Sequence, residues 1–221
     1  MRNLWIYISK HNAVILFFIF FASSFLLLIN NNSFQRASTW NSSNEWVASQ
    51  YQKIQNLKDH FVFFKPKDIV SGDFYFAEKL TNNNFLLATA DSTGHGVPGA
   101  MVSVVCNNAL NRSVREYGLT DPGEILNKTR EIVIEEFEKS EDDVKDGMDI
   151  ALIRINQKTK KVSFAGAHRP LYCSIDGELV EYKGNKFAIS FTERYINDTI
   201  YDGVDSLRAS YIEYKGEKFY A

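Results

Sequence analysis

The order of strand-like and helix-like segments from residue 61 onward is the feature that most narrows what this 221-residue chain can fold into. Three short apolar runs come first, two helix-like segments follow, and four more apolar runs close the series. The strand-like runs are 61–64, 74–80, 85–90, 149–155, 161–167, 171–175 and 179–182. A block of helices between two groups of strands favours antiparallel sheets with helices packed on them, whereas a parallel sheet alternates more regularly. The order therefore predicts an α+β fold.

The two helix-like segments carry start signals. The segment from Pro98 to Arg115 has proline near its first turn and places Val102, Val105 and Ala109 on one face. The tetrapeptide at 121–124, Asp-Pro-Gly-Glu, gives a cap, a first-turn proline and an acid at the third position. Both segments are therefore predicted to be helices.

Net charge and cysteine content exclude several classes of protein. The formal net charge is −2, and no basic stripe with interleaved aromatic residues occurs, so nothing favours a nucleic-acid partner. Cys106 and Cys173 are far apart and lack metal-ligand spacing. They fit buried packing better than a disulfide framework or a zinc site.

Residues 13–29 form an uncharged apolar run, which predicts an N-terminal membrane anchor over 1–30 and a single-pass membrane protein. As a helix the run is roughly 26 Å long, near the lower limit for a ~30 Å hydrocarbon core. A cleaved signal peptide and a buried core helix are the alternatives. Arg2 and Lys10 outnumber Arg36 at the other end, which weakly favours export of everything downstream.

Residues 31–60 are predicted to connect this anchor to a domain that spans 61–221. The stretch 30–44 is rich in Asn and Ser and reads as a polar linker. Residues 45–57 predict a short connector helix, with Val47, Tyr51 and Ile54 at helical spacing. The connector is either a solvated spacer or a relay for a signal.

Two aspartates, Asp73 and Asp91, stand at the ends of neighbouring strand-like runs. Adjacent antiparallel strands bring such end residues close together, so both carboxylates are able to share one cation. Oxygen ligands of this kind select Mg²⁺ or Mn²⁺ rather than zinc. The alternative for each aspartate alone is a turn or cap residue.

The residues around these acids suggest an anion site. Gly94 and Gly96 let the backbone pass close to the cation, and the following helix N-terminus offers amides to a phosphate. His95 is a candidate proton donor or phosphate contact, or a locally bonded turn residue. Lys65 and Lys67 are candidate phosphate ligands, or solvated lysines.

Four stretches, 65–75, 90–101, 146–152 and 164–172, together resemble the SpoIIE-like phosphatases. These are the bacterial branch of the metal-dependent (PPM-type, protein phosphatase 2C-like) serine/threonine phosphatases. Order and spacing agree across about residues 61 to 187. His168 and Arg169, within the last stretch, fit either an active-site rim or a structural turn.

The resemblance implies a β-sandwich of two antiparallel sheets flanked by helices. It also implies that Asp73, Asp91 and the backbone carbonyl of Ser92 bind metal, with two Mn²⁺ or Mg²⁺ ions in a complete domain. Asp149 matches a strand position that is not a metal ligand in the family. The implied reaction is hydrolysis of phosphoserine or phosphothreonine by metal-activated water. The implied substrate is a bacterial regulatory protein, such as an anti-anti-sigma factor, which places the domain in the cytoplasm.

Two acidic motifs of that family, a Thr/Ser-Asp-Gly and a later Asp-Asp, have no convincing counterpart here. Asp202-Gly203 imitates the first, but Tyr201 replaces the hydroxyl residue. The resemblance thus implies a phosphatase domain whose C-terminal part is missing. It leaves open an inactive or regulatory phosphatase-like binding module. A nucleotide-binding module at residues 94–99 is a third hypothesis, although that loop lacks the Lys-Ser/Thr of a phosphate-binding P-loop.

Overall fold

The computed structural model describes residues 3–10, 13–18, 50, 52–53, 60–65, 70–138, 146–159, 161–175, 178–190 and 210–212. The strands described are β1 (Asn3–Lys10), β2 (Ala13–Phe18), β3 (His60–Lys65), β4 (Asp73–Lys79), β5 (Asn84–Ser92), β6 (Met148–Asn156), β7 (Val162–Ala167), β8 (Leu171–Ile175), β9 (Glu178–Tyr182) and β10 (Ser210–Ile212). The helices described in full are α1 (Gly96–Arg115) and α2 (Pro122–Glu138), both between β5 and β6.

The strands form two five-stranded sheets. One has the order β3-β1-β2-β8-β9 and the other β10-β7-β6-β5-β4. Neighbouring strands run antiparallel in both sheets. The α+β class, the antiparallel sheets and the two helices predicted from the order of segments are therefore confirmed.

The hairpin between β4 and β5 shows how local residue choice sets this register. Asn82 and Asn83 have φ angles of 56° and 59°, in the left-handed region that asparagine tolerates better than most residues. The turn places Lys79 opposite Phe85. Because side chains alternate across a strand, this turn fixes which residues of both strands face the helices.

The β4–β7 part of the second sheet is buried on both faces. Phe76 and Leu86 pack with α1 residues such as Cys106 in the main hydrophobic core. Tyr75 and Leu87, which point to the opposite face, are also fully buried. On that side β1 of the first sheet lies against β4 and β5. The arrangement is a sandwich with the helices outside one sheet.

Helix start signals and cysteine packing agree with the sequence predictions. Asp121 Oδ1 accepts hydrogen bonds from the backbone N–H groups of Gly123 at 2.9 Å and Glu124 at 3.3 Å, which caps α2.

Cys106 and Cys173 are free and buried, and burial raises the pKa of each thiol to about 12. Both cysteines are therefore packing residues.

The predicted membrane helix is wrong for residues 13–18. These residues form β2, which pairs with β1 and β8. A short run of apolar, β-branched and aromatic residues has no periodicity that separates a buried strand from a helix. The rest of the span, 19–29, lies outside the described residues, and in the described part of the chain no helix is long and apolar enough to cross a membrane. Anchor, linker and cellular location stay predictions.

Candidate functional site

Three aspartates form a row across the end of the second sheet. Asp73 on β4 pairs with Asp91 on β5, and Asp91 pairs with Asp149 on β6. Residues directly opposite each other in antiparallel strands point to the same face of the sheet. That face also carries Tyr75 and Thr89, so the row points toward the space between the two sheets. The structure thus brings Asp73 and Asp91 together and adds Asp149.

Short contacts fix the backbone beside Asp73. Its side chain is buried, and its backbone N–H donates to Ser71 Oγ at 3.0 Å, while that hydroxyl lies 3.4 Å from Asp73 Oδ2. The N–H of Ser92 donates to the carbonyl of Gly72 at 3.1 Å. These contacts hold the start of β4 against the end of β5, where the two acids stand.

The loop after β5 packs on this strand end through glycines. A Cβ atom on Gly99 would lie 2.7 Å from the Gly94 carbonyl oxygen, which is too close for any side chain. A Cβ on Gly72 would lie 3.0 Å from the carbonyl oxygen of Ser92. The Ser92 carbonyl, a predicted metal ligand, therefore lies against the backbone of Gly72, immediately before Asp73.

The N-terminus of α1 follows the same loop. Gly94 and Gly96 adopt φ angles of 87° and 62°, which favour glycine. His95 is the exposed N-cap residue and makes no side-chain capping bond, and the first turn contains no acidic residue. Lys65 is the last residue of β3, and Lys67 lies outside the described residues. The predicted roles of Gly94, Gly96, His95 and both lysines stay predictions.

The structure adds Arg169 and Asp149 to the site, whereas the sequence indicated Arg169 only as a rim or turn residue and the family resemblance set Asp149 aside. Arg169 Nη2 lies 2.8 Å from Asp91 Oδ2 and 3.1 Å from Asp149 Oδ2. His168 Nδ1 lies 3.1 Å from Asp149 Oδ1. Asp149 begins a predicted strand-like run, but its place opposite Asp91 comes from the pairing of β5 with β6. The contact of Arg169 with Asp91 joins residues 78 positions apart and had no local signal.

Close backbone packing holds Arg169 in place. Directly after β7, His168 turns the chain with a φ angle of 60°. A Cβ on Gly166 would lie 2.2 Å from the Arg169 carbonyl oxygen, and one on Gly184 would lie 2.5 Å from it. The Arg169 backbone is therefore packed closely between Gly166 and Gly184.

The oxygen atoms of Asp73, Asp91 and Ser92 are of the type that a hard divalent cation prefers as ligands. Asp73 and Asp91 supply carboxylate oxygens and Ser92 supplies a carbonyl oxygen, which are the ligands that Mg²⁺ and Mn²⁺ prefer. Over the residues that the structure describes, no group of three or more His, Cys, Asp or Glu side chains is arranged to hold a metal ion. In a metal site here Asp73 and Asp91 would be two of the ligands, and waters would fill further positions.

A family comparison agrees with this geometry. The sequence profile described as Stage II sporulation protein E (SpoIIE) matches residues 81–195, just over half of the chain. The chain belongs to the SpoIIE family. The matched range contains β5 to β9, both helices, and Asp91 and Ser92 with the glycine loop that follows them. Asp73 precedes the matched range.

Solved structures place the SpoIIE-family chain in the protein phosphatase 2C-like fold. The SiaA-PP2C domain of Pseudomonas aeruginosa matches at 26% identity and a TM-score of 0.53, over 72% of this chain and 62% of that one. The PP2C phosphatase domain of SpoIIE from Bacillus subtilis, with a fragment of its regulatory domain, matches at 12% identity and a TM-score of 0.50. That match covers 95% of this chain and 61% of the other. The chain therefore spans about three fifths of each, and no curated protein sequence matches it.

Proposed function

We propose that this chain is a metal-dependent protein-serine/threonine phosphatase domain that acts on a phosphorylated bacterial regulatory protein. The observation that carries the proposal is the register of Asp73 with Asp91 at the end of two paired strands. Such a pair of carboxylates in a SpoIIE-family domain supports a hard-cation site, and the adjoining helix N-terminus supports a phosphate site.

Each site residue has a proposed task. Asp73 and Asp91 hold the Mn²⁺ or Mg²⁺ ion with their carboxylates, and Ser92 adds its backbone carbonyl. The bound ion lowers the pKa of water and neutralises the charge of phosphoryl oxygens. Gly94 and Gly96 shape the turn that leads into α1, and the first turn of α1, which contains no acidic residue, receives the phosphate.

A protein is the substrate class that the surface beside the site supports. Val97, Met101 and Val104 follow one another at helical spacing along the start of α1 and are each about two-thirds exposed. Exposed apolar side chains next to a polar site are typical of protein-binding surfaces. An anti-anti-sigma factor is the proposed partner on the strength of family resemblance.

A second candidate is a phosphatase-like module that binds a phosphoprotein without hydrolysing it. The guanidinium of Arg169 on Asp91 favours this candidate, because it places a protein cation against a proposed metal ligand. The two candidates differ in whether a phosphopeptide that binds is also turned over.

Hydrolysis of a phosphoserine peptide in the presence of Mn²⁺ tests the proposal. We expect Asp91→Asn to be at least about 100-fold less active than the wild type. Mutation of residues that only hydrogen-bond to metal ligands already lowers metal affinity or activity by about 10–100-fold. Asp121→Asn is the matched control, because asparagine caps a helix as well as aspartate. Equal activity in Asp91→Asn contradicts the proposed role. Tight peptide binding without turnover in the wild type supports the second candidate.

A further inference from the structure

The guanidinium of Arg169 is bound to a carboxylate that the proposed function assigns to the metal. Its Nη2 atom lies 2.8 Å from Asp91 Oδ2, within the range of a charge-assisted hydrogen bond. The side chains of Asp91 and Arg169 are only 9% and 15% exposed, so water does little to screen this pair. Any divalent cation that reaches Asp91 therefore meets a resident cation there.

The same Nη2 atom also faces Asp149. The Asp149 Oδ2 atom is 3.1 Å away, and its side chain is 26% exposed. An Nη atom of arginine carries two hydrogens, so Nη2 is able to serve both carboxylates at once. If it leaves Asp91, the guanidinium keeps a charged partner in Asp149, which removes the cost of an unpaired buried charge.

Close packing holds the backbone of Arg169 beside both carboxylates. Gly166 and Gly184 press on its carbonyl oxygen so closely that a Cβ on either would overlap it. On the outer side, His168 approaches the other oxygen of Asp149 and helps to hold that carboxylate in place. An exchange between the two carboxylates therefore requires only a rotation of the Arg169 side chain from Asp91 toward Asp149.

We propose that Arg169 and the metal ion compete for Asp91, with Asp149 as the carboxylate that retains Arg169 after the metal binds. In the metal-free chain Arg169 neutralises Asp91 within the row of acids. Metal loading transfers Asp91 from the guanidinium to the ion, and the site then contains the metal beside an arginine anchored by Asp149. This proposal rests on the metal-binding part of the proposed function and goes beyond it, because it assigns roles to Arg169 and Asp149.

Two roles of Arg169, competitor of the metal or orienting partner of Asp91, predict opposite changes in the Kd for Mn²⁺ when Arg169 is replaced. If Arg169 competes with the metal, Arg169→Gln tightens binding, and we expect the Kd for Mn²⁺ to fall about tenfold. If Arg169 instead orients Asp91 as a ligand, the same substitution weakens binding. Isothermal titration calorimetry of the full 221-residue chain with MnCl₂ gives the sign directly.

Arg154→Gln is the matched control for loss of a positive charge. Arg154 lies on β6 like Asp149, roughly 17 Å farther along the strand at about 3.4 Å per residue. Its guanidinium contacts the Thr120 carbonyl and Ser163 Oγ instead of the acids. At that distance salt screens its effect on the site, so we expect the Kd for Mn²⁺ to stay within about twofold.

A crystal structure of the wild-type chain with Mn²⁺ tests the proposal without any variant. The expected result is an Arg169 Nη2 atom beyond hydrogen-bond distance of Asp91 and still bonded to Asp149. An Arg169–Asp91 bond that persists beside the bound metal overturns the proposal, as does an unchanged or weaker Kd in a folded Arg169→Gln chain. If neither wild type nor Arg169→Gln binds Mn²⁺, the metal-dependent function fails as well. If the wild type binds Mn²⁺ and Arg169→Gln binds it with the same Kd, only the proposed competition between Arg169 and the metal is contradicted.

Discussion

The two ends of β4 carry acidic side chains with opposite charge surroundings. At the far end of the strand Glu78 Oε2 accepts hydrogen bonds from Lys53 Nζ at 2.9 Å and Arg115 Nη2 at 2.8 Å. One carboxylate there serves two cations. At the other end Asp73 stands in a row where Asp91 and Asp149 share the guanidinium of Arg169. Two carboxylates there serve one cation.

The ratio of carboxylates to cations thus distinguishes a structural ion-pair cluster from the candidate site. We call the cluster of Glu78, Lys53 and Arg115 the clamp. Glu78 joins three parts of the chain, because Lys53 belongs to the helical residues before β3 and Arg115 ends α1. Ala77, the neighbour of Glu78 on β4, donates a backbone N–H hydrogen bond to Gln50 Oε1 at 2.9 Å. An acid with two cations is already compensated, whereas a row of three carboxylates is a surface on which a divalent cation is expected to bind.

The largest effect is expected from Asp73→Asn. The variant loses a proposed metal ligand, so hydrolysis of a phosphoserine peptide with Mn²⁺ should fall at least about 100-fold. In EDTA the same variant should be more stable by about 0.2–1 kcal/mol, because like charges directly opposite in a sheet destabilise it. Assays of activity and of thermal unfolding in EDTA check both effects. Full activity together with lower stability would make Asp73 a structural residue.

Glu78→Gln is expected to do the reverse. It removes the carboxylate between Lys53 and Arg115, and we expect the free energy of unfolding to drop by about 1–2 kcal/mol. Mn²⁺-dependent activity, measured below the unfolding transition, should stay within about twofold, because Glu78 is at the opposite end of β4. Urea denaturation measures the first quantity. A variant with wild-type stability and lost activity would erase the contrast between the two ends.

The clamp should also respond to acid. Burial raises the pKa of Glu78, but the hydrogen bonds and charges of Arg115 and Lys53 outweigh it, so the pKa lies below its ordinary value of 4.5. The stabilisation is therefore complete above 4.5 and is lost as the pH falls through the lower folded pKa. Urea denaturation of wild type and Glu78→Gln at several pH values should show their difference vanish in that window. A difference that is constant with pH would contradict this origin.

Arg115→Gln should have the smallest effect. The Arg115 side chain is 54% exposed and Lys53 still binds Glu78 in the variant. Exposed ion pairs contribute about 0.2–1 kcal/mol, so the loss of unfolding free energy should lie in that range. Urea denaturation compares it with Glu78→Gln. A loss as large as that of Glu78→Gln would mean that Arg115 alone supplies the clamp.

The structural features that could be predicted from the sequence are those determined within a short segment. The asparagines at 82 and 83 and the cap at Asp121 act through their own neighbours, and the observed turn and helix follow them. The register of Asp73 with Asp91 follows in turn, because the hairpin leaves no other pairing of β4 with β5. Strand bounds within a residue or two were therefore accessible without a structure.

Contacts between distant segments were not predictable in the same way. Residues 13–18 were interpreted as helix, yet they pair with β8, more than 150 positions along the chain. Arg169 was interpreted as a rim or turn residue, and its contact with Asp91 depends on how β7 ends and on the glycines at 166 and 184. No local spacing encodes either contact, because both arise when the two sheets assemble.

Calorimetric titration of Mn²⁺ into the wild-type chain and into Asp91→Asn tests the central claim most directly. If Asp73 and Asp91 hold a divalent cation, the wild type should give a saturable binding isotherm that Asp91→Asn loses. Asp121→Asn, which changes charge equally at the helix cap, should retain it. Identical isotherms in wild type and Asp91→Asn, or no binding to either, would contradict the claim that the row of acids at the end of β4 is a metal site.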